Sequence, residues 1–236
     1  MRTLLLRLAA PLQSWGADSK FTKRVSRREP TKSGVIGLCA CAMGIRRGDT
    51  DAITALAALR FGVRIDQPGT LLRDYHTAHK EAFWTTGKTD PFVSERYYLA
   101  DAVFLAGLSG DDWELPETIE AAMGAPKLPL SLGRRSCPPT EELSLGLRDA
   151  DLKDALCEEP WHASEWYRRK NRPASLEIVC DAEDDAKKGI LARDLPLSFH
   201  FGDRRYGLRF TVRTTCAVAS LVTTAHDPFT AFGGDL

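Results

Sequence analysis

The 236-residue sequence has no apolar run that approaches the roughly 20 residues needed to cross a bilayer, because the longest candidate, Val35–Met43, is about half that length. The apolar N-terminus is interrupted at Arg7 and lacks the long apolar region and cleavage site of a signal peptide. With 43% apolar and 27% charged residues, the composition excludes a disordered chain or a coiled coil. We therefore expect a soluble, cytoplasmic protein that does not associate with membranes.

Motifs for metal and cofactor binding are also lacking. None of the six cysteines lies in a Cys-x-x-Cys pair, which zinc knuckles and redox motifs require. The acidic pairs Asp184–Asp185 and Asp149 with Asp151 have no histidine at ligand spacing, which is typical of a solvated acidic face. The Gly-x-x-x-x-Gly-Lys-Ser spacing of nucleotide-hydrolysing loops is absent. The sequence thus predicts reduced, mostly buried cysteines, no metal and no cofactor.

Charge is balanced in total but not along the chain. The 32 basic residues offset 32 acidic ones. Residues 1–50, however, carry ten basic and three acidic side chains, whereas residues 110–160 carry five basic and twelve acidic ones. Six of the N-terminal cations fall within Lys20–Lys32. Such polarity indicates one face suited to a polyanion, unless the two regions neutralise each other in space.

Periodicity and turn residues predict a mixed chain. The expected order is β-α-β-β-α-β followed by further strands, typical of a ferredoxin-like α+β core with a small β-rich appendage. We assign the core to residues 1–139 and the β-rich region packed on it to residues 140–236. The predicted strands are Thr3–Leu8 (ending at Pro11), Phe61–Ile65, Leu71–His76, Glu95–Leu105, Lys127–Leu132, Ser175–Val179, Leu195–Phe201 and Tyr206–Val212, and the predicted helices are Thr31–Met43, Asp51–Leu59 and Pro116–Met123.

Two segments have the chemistry of phosphate sites. The segment Pro30–Gly37 opens a helix after a basic loop, where free N–H groups, the helix dipole and Lys32 would converge. The alternative is a plain capped helix with glycines for close packing. The segment Leu132–Pro139 contains Arg134 and Arg135 in a stiff loop, suited to bidentate phosphate contacts or to an ion pair with the acids near Glu141.

A third segment, Leu72–Lys80, leads into the long loop between His76 and Ser94, and loops of that length are usually functional or disordered. Its tyrosine, histidine and lysine allow metal-free RNA cleavage, or binding in which Tyr75 and His76 stack on bases. In the loop itself, Phe83 and Trp84 are expected to wedge between nucleotides or to dock into a neighbouring subunit.

Five motifs occur in order: Pro11–Gly16 (PLQSWG), Pro30–Gly37 (PTKSGVIG), Leu72–Thr77 (LRDYHT), Arg96–Ala102 (RYYLADA) and Leu132–Pro138 (LGRRSCP). Together they closely resemble the Cas5 subunit of subtype I-E CRISPR Cascade complexes. The resemblance spans residues 1–139, and beyond them it is limited to the strand pair Pro196–Arg213.

The resemblance implies a repeat-associated (RAMP) RNA-binding protein with an RRM-like, ferredoxin-like core and a protruding β-hairpin thumb at about residues 76–94. Such a subunit binds the 5′ handle of the CRISPR RNA and contacts the backbone (CasC-like) and large (CasA-like) subunits of the antiviral complex. Related subtype I-C proteins cut precursor RNA without metal, using adjacent Lys-His residues. Here His79 and Lys80 have the reverse order, so the resemblance favours binding without catalysis over an endoribonuclease.

From the motifs and the resemblance together, we expect one groove that holds a hooked single strand, with Lys32 and Arg135 on the same side of the molecule. Phe83 and Trp84 of the thumb are expected to contact a partner subunit. The predicted RNA-binding residues are Lys20, Lys23, Arg24, Arg27, Arg28, Thr31, Lys32, Ser33, Tyr75, His76, Arg96, Arg134 and Arg135.

Overall fold

The computed structural model describes residues 1–16, 23–78, 92–111, 113–182 and 189–218. The predicted sites at Lys20, Phe83 and Trp84, most of the predicted thumb and the pair Asp184–Asp185 lie outside these residues. Within them, no helix is long and apolar enough to cross a membrane.

The described residues form a mixed α/β structure around one large sheet. The strands are β1 (Arg2–Gln13), β2 (Lys23–Arg24), β3 (Arg60–Gln67), β4 (Thr70–Ala78), β5 (Phe92–Gly110), β6 (Ser144–Arg148), β7 (Ser175–Asp181), β8 (Ile190–Ser198) and β9 (Arg205–Ala217). The helices are α1 (Lys32–Met43), α2 (Thr50–Ala58), α3 (Glu114–Gly124), α4 (Leu152–Glu158) and α5 (Glu165–Lys170).

The sheet has the strand order β6-β1-β5-β3-β7-β9-β8, and neighbours in this order are antiparallel. Two more strands pair with β5 outside this order: β4 is antiparallel to it and the short β2 is parallel to it. The C-terminal strands β7–β9 therefore continue the sheet formed by the N-terminal half. The division of the chain at residue 139 stays a prediction.

Helices lie on both faces of the sheet at its central strands β1 and β5. Because side chains alternate along a strand, neighbouring leucines of β1 enter different cores. Leu4 and Leu6 pack on the side of α1 and α3, whereas Leu5 packs with Leu105 on the side of α4. The strand is thus buried on both sides, which explains its nearly continuous apolar sequence.

Several predicted boundaries were wrong. Strand β1 continues past Pro11, whose missing N–H costs nothing because β6 pairs only as far as Leu6. The segment Lys127–Leu132 forms no strand, since Pro129 removes a donor from it. The short elements α4, α5 and β6 were not predicted.

Candidate nucleic-acid interface

The hairpin of β4 and β5 carries three of the predicted site residues, Tyr75, His76 and Arg96. Strand β5 has 19 residues, of which residues 103–109 lie between β1 and β3 while residues 92–100 pair with β4. The change of partner occurs at Asp101, whose φ of 54° is left-handed. Opposite it, Gly69 has a φ of 68°, and an added Cβ would lie 2.6 Å from the Ala100 carbonyl oxygen. The hairpin therefore leaves the buried part of the sheet at a fixed bend.

One face of the hairpin combines aromatic rings with cations; we call it the stacking face. By pairing and alternation it comprises Lys23, Arg73, Tyr75, Glu95 and Tyr97. Lys23 Nζ lies 5.8 Å from the centroid of the Tyr97 ring, and Arg73 Cζ lies 5.9 Å from that of Tyr75. Glu95 fixes the arrangement, because it accepts hydrogen bonds from Arg73 Nη2 (2.7 Å) and the Tyr97 hydroxyl (3.2 Å). Tyr75 is 58% exposed and free to stack.

The opposite face of the hairpin is more constrained. His76 Nε2 lies 2.6 Å from Asp74 Oδ2, and the imidazole remains half-exposed. Arg96 is partly buried, and its Nε has no hydrogen-bond partner among the described residues. Tyr98 is buried beside it. Tyr75 and His76 therefore point to different faces, so that a single base cannot stack on both.

A tight turn at residues 132–137 supports this face. Gly133 has a φ of 93°, and an added Cβ would lie 1.8 Å from the Ser14 carbonyl oxygen. Only glycine fits here. The Ser14 N–H donates to the Leu132 carbonyl (3.1 Å), and the Leu132 N–H donates to that of Cys137 (2.7 Å). The turn is thus attached to the end of β1, and it directs the side chain of Arg134 toward the hairpin.

The two neighbouring arginines of this turn differ in their surroundings. Arg134 donates through Nη2 to the Arg24 carbonyl oxygen (3.0 Å), and its Cζ lies 4.5 Å from the centroid of the Tyr98 ring. Burial alone would raise the pKa of Tyr98, but hydrogen bonds from Arg134, Ser136 and Arg96 outweigh it and lower that pKa. Arg135 is exposed. The predicted alternative partner, Glu141, pairs with Arg7 instead.

The predicted phosphate site at the start of α1 was wrong. Thr31, Lys32 and Ser33 are all buried. The Lys32 N–H donates to Asp194 Oδ2 (2.8 Å) and its ammonium to Asp181 Oδ2 (3.0 Å), so the protein's own carboxylates occupy the place of a phosphate. The alternative of a capped helix is confirmed, because Thr31 Oγ1 accepts from the Gly34 N–H (3.2 Å). In the part of the chain that the structure describes, Lys32 therefore lines no open groove.

These carboxylates belong to a buried ion cluster that the sequence did not reveal; we call Lys32, Asp181, Asp194 and Arg209 the ion cluster. Arg209 donates to both oxygens of Asp194 (2.7 and 2.9 Å) and to Asp181 Oδ1 (2.6 Å). Burial lowers the pKa of Lys32 despite the neighbouring Asp181. Burial would raise the pKa of Asp194, but the hydrogen bonds and charge of Arg209 outweigh it, and the pKa lies below its ordinary value.

The remaining predicted cations lie in β2, which pairs with β5, and in the segment between β2 and α1. Lys23, Arg24 and Arg28 are exposed, whereas Arg27 is partly buried and its N–H donates to the Trp15 carbonyl (2.8 Å). Arg73, Tyr97 and Tyr98 were missed, although Arg73 and Tyr97 each lie two residues along a strand from a residue of the same face. That period-two signal was available in the sequence.

Comparison with known proteins gives consistent matches. Residues 3–212 match the family model described as CRISPR-associated protein (Cas_Cas5). The chain is 37% identical over 171 residues to the CRISPR system Cascade subunit CasD of Escherichia coli K12, a match that covers 65% of this chain and 75% of CasD. A solved structure described as "Crystal structure of Cas protein" has 37% identity and a TM-score of 0.71, with 91% of this chain and 95% of that chain covered. A chain of a "CRISPR RNA-guided surveillance complex" has 33% identity and a TM-score of 0.75, with 92% of this chain and 90% of that chain covered.

The ion cluster predicts a specific dependence of stability on pH. Because the folded-state pKa of Asp194 is depressed, its stabilising contribution is complete above the unfolded value of about 3.9 and is lost as the pH falls through the folded value. We expect Asp194→Asn to lower the free energy of unfolding by about 3–5 kcal/mol at pH 7, with a smaller difference at pH 3. Urea titrations at both pH values measure this. The exposed Asp203→Asn control should change stability by less than about 0.5 kcal/mol, and equal losses in both variants would contradict the assignment.

The turn predicts that neighbouring arginines differ in their effect on folding. Arg134→Ala removes a hydrogen bond to the Arg24 carbonyl and the contact with the Tyr98 ring, and should destabilise the protein by about 1–3 kcal/mol. Arg135→Ala, its matched control, should stay within about 0.5 kcal/mol of the parent. Chemical unfolding of both variants decides the matter; a larger loss in Arg135→Ala is incompatible with these positions.

Proposed function

Because this chain belongs to the Cas5 family of CRISPR-associated proteins, as its motifs indicated, we propose that it is a subunit of a Cascade-type surveillance complex that binds the 5′ handle of the CRISPR RNA without cutting it. The observation that carries the proposal is the stacking face, where exposed Tyr75 lies beside Arg73 and Tyr97 beside Lys23. Paired aromatic rings and cations suit single-stranded RNA, because each base offers a flat face for stacking and each phosphodiester linkage carries a negative charge.

The ferredoxin-like, RAMP-type core belongs to the same proposal. Among the antiparallel strands of the sheet, the local order β6-β1-β5-β3 supports it, because it corresponds to the order 4-1-3-2 of a β-α-β-β-α-β unit. In this interpretation, the β4–β5 hairpin leads into the thumb at about residues 76–94. Strands β7–β9 supply the β-rich appendage within residues 140–236.

In the proposed binding mode, bases stack on Tyr75 and Tyr97, and the cations around the base of the hairpin neutralise the phosphates. Lys23, Arg28 and Arg135 are the exposed cations suited to this role. Arg134 and Arg96 act indirectly, since they hold Tyr98 and the backbone of Arg24 in place. No metal or cofactor takes part in the proposed function.

Binding without catalysis is supported by the geometry of the hairpin. An RNA-cleaving tyrosine and histidine must reach the same phosphate, but Tyr75 and His76 lie on opposite faces of β4. The observation in favour of the alternative, a metal-independent endoribonuclease, is the 2.6 Å contact of His76 with Asp74, which orients an imidazole as a general base requires. Lys80 lies outside the described residues.

The partners in this proposal are the CRISPR RNA and the backbone and large subunits of a cytoplasmic complex. The support is the likeness to the Escherichia coli Cascade subunit and to a chain of a surveillance complex.

We expect the stacking face to dominate affinity for single-stranded handle RNA. Tyr75→Ala should weaken binding by about 5- to 150-fold, the range of one stacked base, whereas Tyr75→Phe should retain it. Trp166→Ala is a matched control, because Trp166 is 51% exposed and lies 5.9 Å from a cation, Lys170, on α5. Fluorescence anisotropy with the repeat-derived 5′ RNA measures this. Equal losses in Trp166→Ala and Tyr75→Ala would place the RNA elsewhere.

The exposed cations should determine how strongly RNA affinity depends on salt. Each of Lys23→Ala and Arg135→Ala should reduce the slope of log affinity against log salt concentration by about 0.7.

We expect no specific cleavage of precursor RNA by the purified chain. Incubation with repeat RNA, in parallel with EDTA and with Mg²⁺, should leave the RNA intact because Tyr75 and His76 do not converge. Gel analysis detects any products. Cleavage at one site in EDTA that disappears in His76→Ala, while Trp166→Ala still cuts, would establish the endoribonuclease instead.

A further inference from the structure

Strands β8 and β9 expose an apolar surface that the RNA site does not use; we call Leu191, Leu208, Phe210 and Val212 the apolar face. These side chains are 52%, 57%, 54% and 39% exposed. Leu191 and Phe210 are directly paired across the two strands. Leu208 and Val212 lie two residues to either side of Phe210 on β9, so alternation places all four on one side of the sheet. They form a contiguous patch rather than scattered apolar residues.

The layer of helices ends before it reaches this patch. Along β9, Cys216 is buried in the cluster that contains α4, on the same side of the sheet as Val212. On the other side, Arg209 and Thr211 are enclosed beneath α1 and α2, which contact β8. Among the described residues, strands β8 and β9 are thus covered on one side and uncovered on the other. On the uncovered side α4 contacts β1, β3 and β5, and the apolar section of β8 and β9 beyond it is left to be covered by another molecule.

The edge of the sheet is protected while its face is not. Strand β8 is the last strand of the sheet, and its pairing with β9 is interrupted by two register shifts. Pro196 lies within it and has no N–H to donate. Bulges and proline discourage another strand from adding at an edge. Contact through the face is therefore favoured over contact through the edge.

The chemistry of the patch favours a protein as its occupant. Three of the four side chains are aliphatic, whereas single-stranded RNA requires aromatic platforms. Exposed arginines border the patch: Arg193, two residues after Leu191 on β8, and Arg204, in the turn before β9. Two copies of this chain, meeting through the same face, would bring these like charges together. A partner whose surface is apolar at its centre and acidic at its border would instead complement the patch and its arginines.

We propose that the apolar face docks a protein subunit of the same complex, through a surface that is apolar at its centre and acidic at its border. The proposal depends on the assembly role proposed above and identifies where a protein partner binds. Phe210 and Leu208 are the central anchors, and Arg193 orients the partner. Phe201, which is 90% exposed in the turn between β8 and β9, extends the contact at one end.

The test uses the full chain, the other purified subunits from its own CRISPR locus and a CRISPR RNA. Leu208→Ser with Phe210→Ser should reduce incorporation into the assembled complex at least tenfold, as expected for central anchors of an interface. Leu128→Ser is the control, because Leu128 is a leucine of similar exposure, 50%, outside the face. Arg193→Glu should weaken assembly more at low salt than at high salt, because salt screens the repulsion between charges. Affinity for handle RNA should stay within twofold in each variant.

A second measurement needs no substitution. Hydroxyl-radical footprinting should oxidise Leu208 and Phe210 in the isolated chain and show at least fivefold protection in the complex, with Leu128 unprotected. Unchanged incorporation or unprotected side chains overturn the proposal. Loss of RNA affinity in the double variant assigns the face to RNA, and loss of self-association measured by light scattering assigns it to a second copy; either outcome overturns the proposal. Failure of the unmodified chain to enter the complex overturns the assembly role itself, and with it this docking site.

Discussion

The ion cluster is the constraint on which the arrangement of the molecule depends. It joins the first residue of α1 to β7, β8 and β9, and Asp181 also accepts from the Phe61 N–H of β3 (2.8 Å). Lys32 and Asp194 are buried and Asp181 and Arg209 are partly buried. Such charges are tolerable only because each is paired and hydrogen-bonded, and removal of one leaves another uncompensated in a medium of low dielectric. The cluster therefore fixes the N-terminal half of the fold against the C-terminal strands. It also fills with carboxylates a helix start that would otherwise attract phosphate.

With that helix start occupied, two groups of cations can be distinguished among the described residues. Lys32, Arg209 and Arg134 are used within the structure, where they pair with carboxylates, a carbonyl or a ring. Lys23, Arg28 and Arg135 remain exposed. Cations of the first group stabilise the folded structure, whereas those of the second give the surface its positive charge. A count of basic residues along the chain does not distinguish the two groups.

Local patterns predicted the elements well and the partners of long-range contacts poorly. Helix α1 was predictable because Thr31 and Gly44 mark its ends, and apolar periodicity located β3 and β5. The short helices α4 and α5 have too few turns to produce a periodic signal. The burial of Lys32 depends on two aspartates roughly 150 residues away in strands, and no rule of spacing connects them. In the hairpin, Tyr75, His76 and Arg96 were among the predicted residues and neighbouring strands bring them together, whereas Arg73, Tyr97 and Tyr98 were missed.

The left-handed bend at Asp101 separates two parts of β5 that have different neighbours. Before it, the strand pairs with β4, whose residues are mostly exposed, and after it the strand is enclosed between β1 and β3. Insertions or deletions on the exposed side leave the ladder of the interior unchanged. The hairpin can thus vary in length and chemistry without a change in the pairing of the interior, and in the laboratory it offers a position where a hairpin from a related protein can be grafted.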